Sequence, residues 1–207
     1  MKPVKKGQNL WRDHYTDKAK KAGFPARSVF KLEEMQKKWK ILHPGQKVLD
    51  LGCAPGSWLK YASQTVGGSG QVIGIDIQPM EQPDKPNAQF IQGDAFEMDQ
   101  DFLDRIGRDF DVVLSDMAPN TSGIRNVDAL KSAALCDSAL ATAITVLKPG
   151  GTFVCKIFQG EGFDAFIKDV KMYFTKHKIF KPESTRKASR EIYVVGWSKK
   201  GESHVRT

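Results

Sequence analysis

Cysteine is scarce in this chain, and what little there is points away from disulfides and metal. Cys53, Cys136 and Cys155 form an odd set without ligand spacing, which fits buried thiols in a reducing compartment. Four histidines, His14, His43, His177 and His204, stand singly, so neither a histidine-based site nor a bound metal is expected. No apolar run approaches the ~18 residues of a membrane span. The lysine-rich beginning also lacks the apolar stretch of a signal peptide. A cytoplasmic protein without membrane attachment is the expectation. There is no internal repeat or low-complexity tract, and with no long exposed apolar helix or heptad pattern a monomer is expected. A G-x-G-x-x-G fingerprint is absent too, which disfavours NAD.

The 207 residues, 40% of them hydrophobic, can bury one substantial core. We divide the chain into a basic N-terminal helical extension, residues 1–45, and one domain, residues 46–207. The net charge of +8 is unevenly distributed. Residues 1–47 carry 13 Lys/Arg against 4 Asp/Glu, residues 48–167 carry 8 against 16, and residues 168–190 carry 8 against 2. Basic ends around an acidic centre suit a polyanion held by the ends and a cationic or hydroxyl-rich ligand held in the middle. Lysine-rich helices kept for solubility are the blander explanation.

From Lys47 onward, short β-branched runs alternate with helical stretches, the pattern of βαβ units around a mostly parallel sheet. Five strands are predicted at 47–51, 71–76, 88–92, 111–115 and 151–157. Helices are predicted over 127–147, closed by Lys148-Pro149-Gly150-Gly151, and over 162–176, with Phe163, Phe166, Ile167, Val170 and Phe174 on one face. Residues 177–180 and 191–197 read as two strands with no helix between them, hence an antiparallel pair. Ahead of the sheet, 8–22 and 28–39 read as helices, with Ser28 as N-cap.

The first strand runs into Asp50-Leu51-Gly52-Cys53-Ala54-Pro55-Gly56-Ser57-Trp58. Glycines there let backbone pass close to a ligand, and the helix that follows offers free N–H groups. Asp76, at the end of the second strand, can accept from both hydroxyls of an adenosine ribose. Asp94 follows the third strand and could bond an adenine amine. An acidic pocket with a ribose clamp and no phosphate-binding lysine fits S-adenosylmethionine (SAM), whose sulfonium is positive. Taken singly, tight-packing glycines and helix-capping aspartates explain these residues equally well; their ordered combination favours the cofactor. Lys31, Asp116, Lys156 and Glu191 form a second set. Three of the four lie at or near a strand end, where open sheets place ligands.

These strings resemble the FtsJ/RrmJ family of ribose 2′-O-methyltransferases, and within it the bacterial enzyme for 23S ribosomal RNA. The likeness rests on Ala26-Arg27-Ser28-Val29-Phe30-Lys31-Leu32, the Asp50–Trp58 turn, Ser115-Asp116-Met117-Ala118-Pro119-Asn120, Lys156-Ile157-Phe158-Gln159-Gly160-Glu161-Gly162 and Glu191-Ile192-Tyr193. It implies an α/β fold: the seven-stranded, Rossmann-like sheet of SAM-dependent methyltransferases, with one antiparallel strand and helices on both faces. It implies a catalytic tetrad at Lys31, Asp116, Lys156 and Glu191, with SAM contacts at Gly56, Trp58, Asp76, Asp94 and Asp116. Cys53 and Ser57 stand where relatives carry Ala and Gly; both are small and leave the pocket open.

Transfer of a methyl group to a ribose hydroxyl is an in-line displacement that needs the 2′-oxygen aligned and its proton removed. A lysine serves as base only when neutral, which burial or a neighbouring cation promotes and carboxylates oppose. By resemblance Lys156 is the base or hydroxyl-orienting group, Asp116 orients it and borders the methyl donor, and Lys31 and Glu191 position the ribose. A surface salt bridge is the alternative for each; it suits Lys31 better than Lys156, which apolar residues flank. The expected partner is 23S RNA in the large ribosomal subunit. A transfer-RNA anticodon-loop methyltransferase, a ribosome-assembly factor acting mainly by binding, and a small-molecule methyltransferase are the competing readings.

Overall fold

Strands β1 (Lys47–Leu51), β2 (Gln71–Asp76), β3 (Ala88–Gln92) and β4 (Phe110–Ser115) pair in parallel, as valine- and isoleucine-rich runs buried on both faces do. The computed structural model describes residues 10–97 and 99–201, with side chains from residue 14 onward; the first nine residues of the basic arm lie outside that range. Strands β5 (Leu147–Phe158), β6 (Phe174–Phe180) and β7 (Glu191–Lys199) complete a seven-stranded sheet among the described residues, in the order β3-β2-β1-β4-β5-β7-β6. β7 runs antiparallel to both its neighbours. The antiparallel pair expected near the end of the chain is therefore present, and β7 is the one reversed strand.

Alternation along the strands divides the core in two. Leu49, Ile73, Val113, Phe153 and Cys155 face α4 (Gln100–Ile106), α5 (Arg125–Val146) and α6 (Phe163–Tyr173). Val48, Val72, Val112, Val154 and Tyr193 face α2 (Val29–Trp39) and α3 (Ser57–Val66). Leu32 and Met35 of α2 are fully buried in that second layer, so truncating either to alanine costs about 2–5 kcal/mol. The N-terminal helix α1 (Leu10–Lys21) rests on α2 through Tyr15 and Phe30, whose rings lie 5.4 Å apart.

Several boundaries differ from the sequence pattern. The residues expected to close a helix, Lys148 to Gly151, lie instead in the irregular start of β5, where the register with β4 shifts between Phe110 and Val112. α6 stops at Tyr173, because Phe174 pairs with Lys199 and stacks on Phe153 at 5.9 Å. α4 has no strong hydrophobic period and was not expected; Asp99 caps it by accepting from the Phe102 amide at 2.8 Å. Ser28 is not a side-chain cap: its backbone is already helical and its hydroxyl caps nothing. α5 is long and apolar enough to cross a membrane by length and composition, but half of it is buried and it packs on β5.

Candidate active site

Strand direction brings the tetrad together. β4 ends at Ser115 and hands Asp116 to the C-terminal edge of the sheet. Lys156 lies two residues from the end of β5. Because β7 is reversed, its first residue, Glu191, pairs with Phe158 at that same edge, and Tyr193 pairs with Lys156. Lys156, Tyr193 and Glu191 share one face by the two-residue period of strands. α2 lies over that face and delivers Lys31 from its first turn.

Two ion pairs result. Lys156 Nζ lies 3.1 Å from Asp116 Oδ1 and also donates to the Asp116 carbonyl. Lys31 Nζ contacts Glu191 Oε1. The Tyr193 hydroxyl joins them, donating to Asp116 Oδ1 at 2.6 Å with Glu191 Oε1 at 3.2 Å. Burial pushes the Asp116 carboxyl up, but Lys156, Lys31 and the Tyr193 hydroxyl outweigh it, so the group sits below its ordinary value. Burial, then Asp116 and Glu191, push the Tyr193 phenol well above its ordinary value, which keeps it a donor. Lys156 is only 6% exposed, so this is not the weak surface pairing weighed against it.

On one side of the tetrad, the ends of β1 to β4 enclose a cavity of about 320 Å³ that Asp76, Asp94 and Asp116 all line. Gly52, at φ +71°, forms part of its wall, and a β-carbon there would run into Met117. Asp50 is fully buried nearby in β1. Asp76 accepts from the Ala54 and Gln78 amides at 2.9 and 2.8 Å; each oxygen keeps a lone pair for a ribose hydroxyl. Asp94 accepts from the Phe96 amide at 2.9 Å. A cradle of carboxylates and close-packed backbone suits a sulfonium nucleoside. Exposed Ile77 and Phe96 also border it, apolar partners that the sequence reading passed over.

Gly56 and Trp58 sit elsewhere. Gly56, at φ +96°, borders a neighbouring groove under Met80. The Trp58 indole is buried against Tyr193 and donates to the Ser28 carbonyl at 2.8 Å. Its side chain thus fastens α3 to α2, and Trp58 lines neither the acidic cavity nor that groove. Ser57 adds to that fastening, bonding the amide and carbonyl of Ala26 at 2.7 and 3.1 Å.

On the other side of the tetrad, a cavity of about 310 Å³ opens between α2 and the 181–190 loop, lined by Arg27, Lys31, Arg186 and Glu191. Glu34 holds the loop by accepting from the Glu183 and Ser184 amides at 2.6 and 2.9 Å, and Arg27 donates to the Ser184 carbonyl. Burial and then the Arg186 charge lower the Arg27 pKa; two guanidiniums lining one cavity invite an anion. Among the described residues no cluster of His, Cys, Asp or Glu is arranged to hold a metal.

The FtsJ-like methyltransferase model matches residues 24–199. The chain belongs to the FtsJ-like methyltransferase family. A protein of Desulfatibacillum aliphaticivorans named ribosomal RNA large subunit methyltransferase E is 87% identical over 207 residues, covering 100% of each chain. A namesake from Desulforapulum autotrophicum is 52% identical over 197 residues, 95% of this chain and 97% of that one. A ribosomal RNA methyltransferase structure from Plasmodium falciparum superimposes with a TM-score of 0.74 at 28% identity, covering 86% of this chain and 100% of that one. Aeropyrum pernix fibrillarin, solved with SAM, is 17% identical with a TM-score of 0.54 over 75% of this chain and 68% of its own, a likeness of fold alone. This FtsJ-like protein is a SAM-dependent methyltransferase.

Proposed function

We propose that this chain transfers a methyl group from SAM to a ribose 2′-hydroxyl of ribosomal RNA, a uridine of 23S RNA in the large subunit. One observation carries the reading: the Lys156–Asp116 pair lies between an acidic cavity, which Asp116 lines, and a cationic one, which Lys31 and Glu191 line. The name shared by its relatives in Desulfatibacillum and Desulforapulum supports the large-subunit target.

Asp76 and Asp94 would hold the ribose and adenine of the cofactor, with Gly56 and the Trp58 backbone at the opening turn of α3. When bound, SAM supplies the electrophilic methyl group. Lys156 has two of its three amine positions on Asp116, which leaves the third for the ribose 2′-oxygen. There it orients the hydroxyl; to act as base it must first release its own proton to solvent, so that the freed lone pair can take the hydroxyl proton as the new bond forms. Asp116 fixes that amine and borders the methyl donor. Lys31 and Glu191 hold the ribose, and Arg27 and Arg186 take flanking phosphates, contacts that position RNA without reading its sequence.

In this reading residues 46–207 form the catalytic body, and the extension, residues 1–45, brings Lys31 to it. We place the protein in the cytoplasm as a monomer, where large subunits assemble.

The test is incubation with radiolabelled SAM and, in parallel, large subunits lacking the modification, free 23S RNA and unmodified transfer RNA, followed by mapping of the labelled ribose. Label on a 2′-oxygen of the large subunit is expected. Label on transfer RNA alone would move the chain to the anticodon-loop branch, and no label anywhere would favour a binding factor.

A further inference from the structure

Pairing between β4 and β5 ends at Ser115 and Cys155, because the chain turns away at Asp116 to line the cofactor cavity. β5 runs on to Phe158, so its last three residues have a strand neighbour on one edge only, β7. The Lys156 carbonyl and the Phe158 amide point toward the vacated edge, two residues apart. Neither stays unpaired. The Cys136 thiol donates to the Lys156 carbonyl at 3.0 Å, closer than the second donor, the Cys155 thiol at 3.5 Å, and Ser132 Oγ accepts from the Phe158 amide at 3.0 Å. Both residues belong to α5, one turn apart, and each is 1% exposed. Side chains four apart on a helix present adjacent groups to one line of backbone, so α5 completes the sheet edge that β4 leaves open.

We propose that Ser132 and Cys136 are positioning residues for the methyl transfer: they hold the end of β5 so that the Lys156 amine meets Asp116. The inference rests on the role given to Lys156 above. Neither side chain touches either ligand cavity, and both act through the backbone that carries Lys156. The Cys155 thiol beside it, and then burial, push the Cys136 thiol far above its ordinary value, so it stays protonated and keeps donating. A strand end secured on one edge can shift, and a displacement of about 1 Å far from the chemistry can cost about a hundredfold in rate.

Valine at 136 fills the space of the thiol without a donor, whereas serine is smaller but keeps one. Single-turnover methyl transfer to large subunits, the dissociation constant for SAM and the melting temperature are to be measured for Cys136→Val, Cys136→Ser and Ser132→Ala in the full chain. We expect Cys136→Val to lose about 10- to 100-fold in transfer rate with SAM binding within about twofold of wild type, and Cys136→Ser to stay within about threefold. Packing alone predicts the reverse order, and valine transferring as fast as serine would overturn the inference. If Cys136→Val fails to fold, Ser132→Ala carries the same test: a loss of about tenfold is expected, and an unchanged rate overturns it. Lys156→Ala separates this inference from the reading beneath it. Transfer retained by Lys156→Ala removes the role of Lys156; an inactive Lys156→Ala beside a fully active Cys136→Val removes only the clamp.

Discussion

The Tyr193 hydroxyl donates to Asp116 Oδ1 at 2.6 Å and so ties the start of β7 to the residue just after β4, across β5. It hydrogen-bonds to the carboxylates of both ion pairs, Lys156–Asp116 and Lys31–Glu191. A single phenol therefore fixes the spacing between Asp116, which lines the acidic cavity, and Lys31 and Glu191, which line the cationic one.

Tyr193→Phe deletes that link and leaves a buried carboxylate one donor short. Unfolding in urea is expected to show a loss of about 1–3 kcal/mol. Transfer should slow by about tenfold or more, since one hydrogen bond to a charged group is worth that much in rate. A variant with wild-type turnover would show that Tyr193 is packing only.

Asp50 and Asp116 respond to pH in opposite senses. Burial, then the Asp116 and Asp76 charges, hold the Asp50 carboxyl well above its ordinary value. The folded state thus keeps a proton that the unfolded chain releases above about pH 3.9, and stability falls as pH rises from there. Asp50→Asn removes this penalty. Its melting temperature should exceed wild type at pH 8, with the gap closing toward pH 4; a constant gap would contradict the assignment. For Asp116, held low, the stabilisation is present above about pH 3.9 and is lost as acid protonates the folded carboxylate below it.

Asp76 serves both the turn and the proposed ribose contact, so its two roles need separating. Asp76→Asn keeps the oxygen that accepts from the Ala54 or Gln78 amide but loses the charge. Calorimetry with SAM should show affinity about 10- to 100-fold weaker, the range for a charged hydrogen bond. Unchanged affinity would place the ribose elsewhere.

Arg27 and Arg186 are expected to contribute affinity for RNA without affecting the cofactor. Arg27→Ala and Arg186→Ala should each weaken subunit binding and lower the slope of log affinity against log salt by about one, with SAM binding unchanged. An unaltered slope would mean that the phosphates pass along another face.

Much of this protein was legible in one dimension. Short, β-branched-rich runs marked five strands, because a strand buried on both faces leaves polar side chains little place. The Gly52 turn and the carboxylates Asp76 and Asp94 could be read because each ends its strand or follows it within two residues, and the parallel direction then puts every such end on one edge. Tyr193 carried a faint signal in its two-residue spacing from Glu191, which puts both on one face. Long-range pairing alone decided the rest. The reversal of β7 brings Glu191 and Tyr193 to Lys156, α2 lowers Lys31 onto Glu191 across 160 residues of chain, and α5 holds a strand end that β4 has left. The side chain of Trp58 took a structural duty for the same reason: burial against Tyr193 and a bond to Ser28 depend on residues far off in sequence. Local patterns record what a residue must be in its own element, whereas its partners are set by which elements the hydrophobic layers bring together.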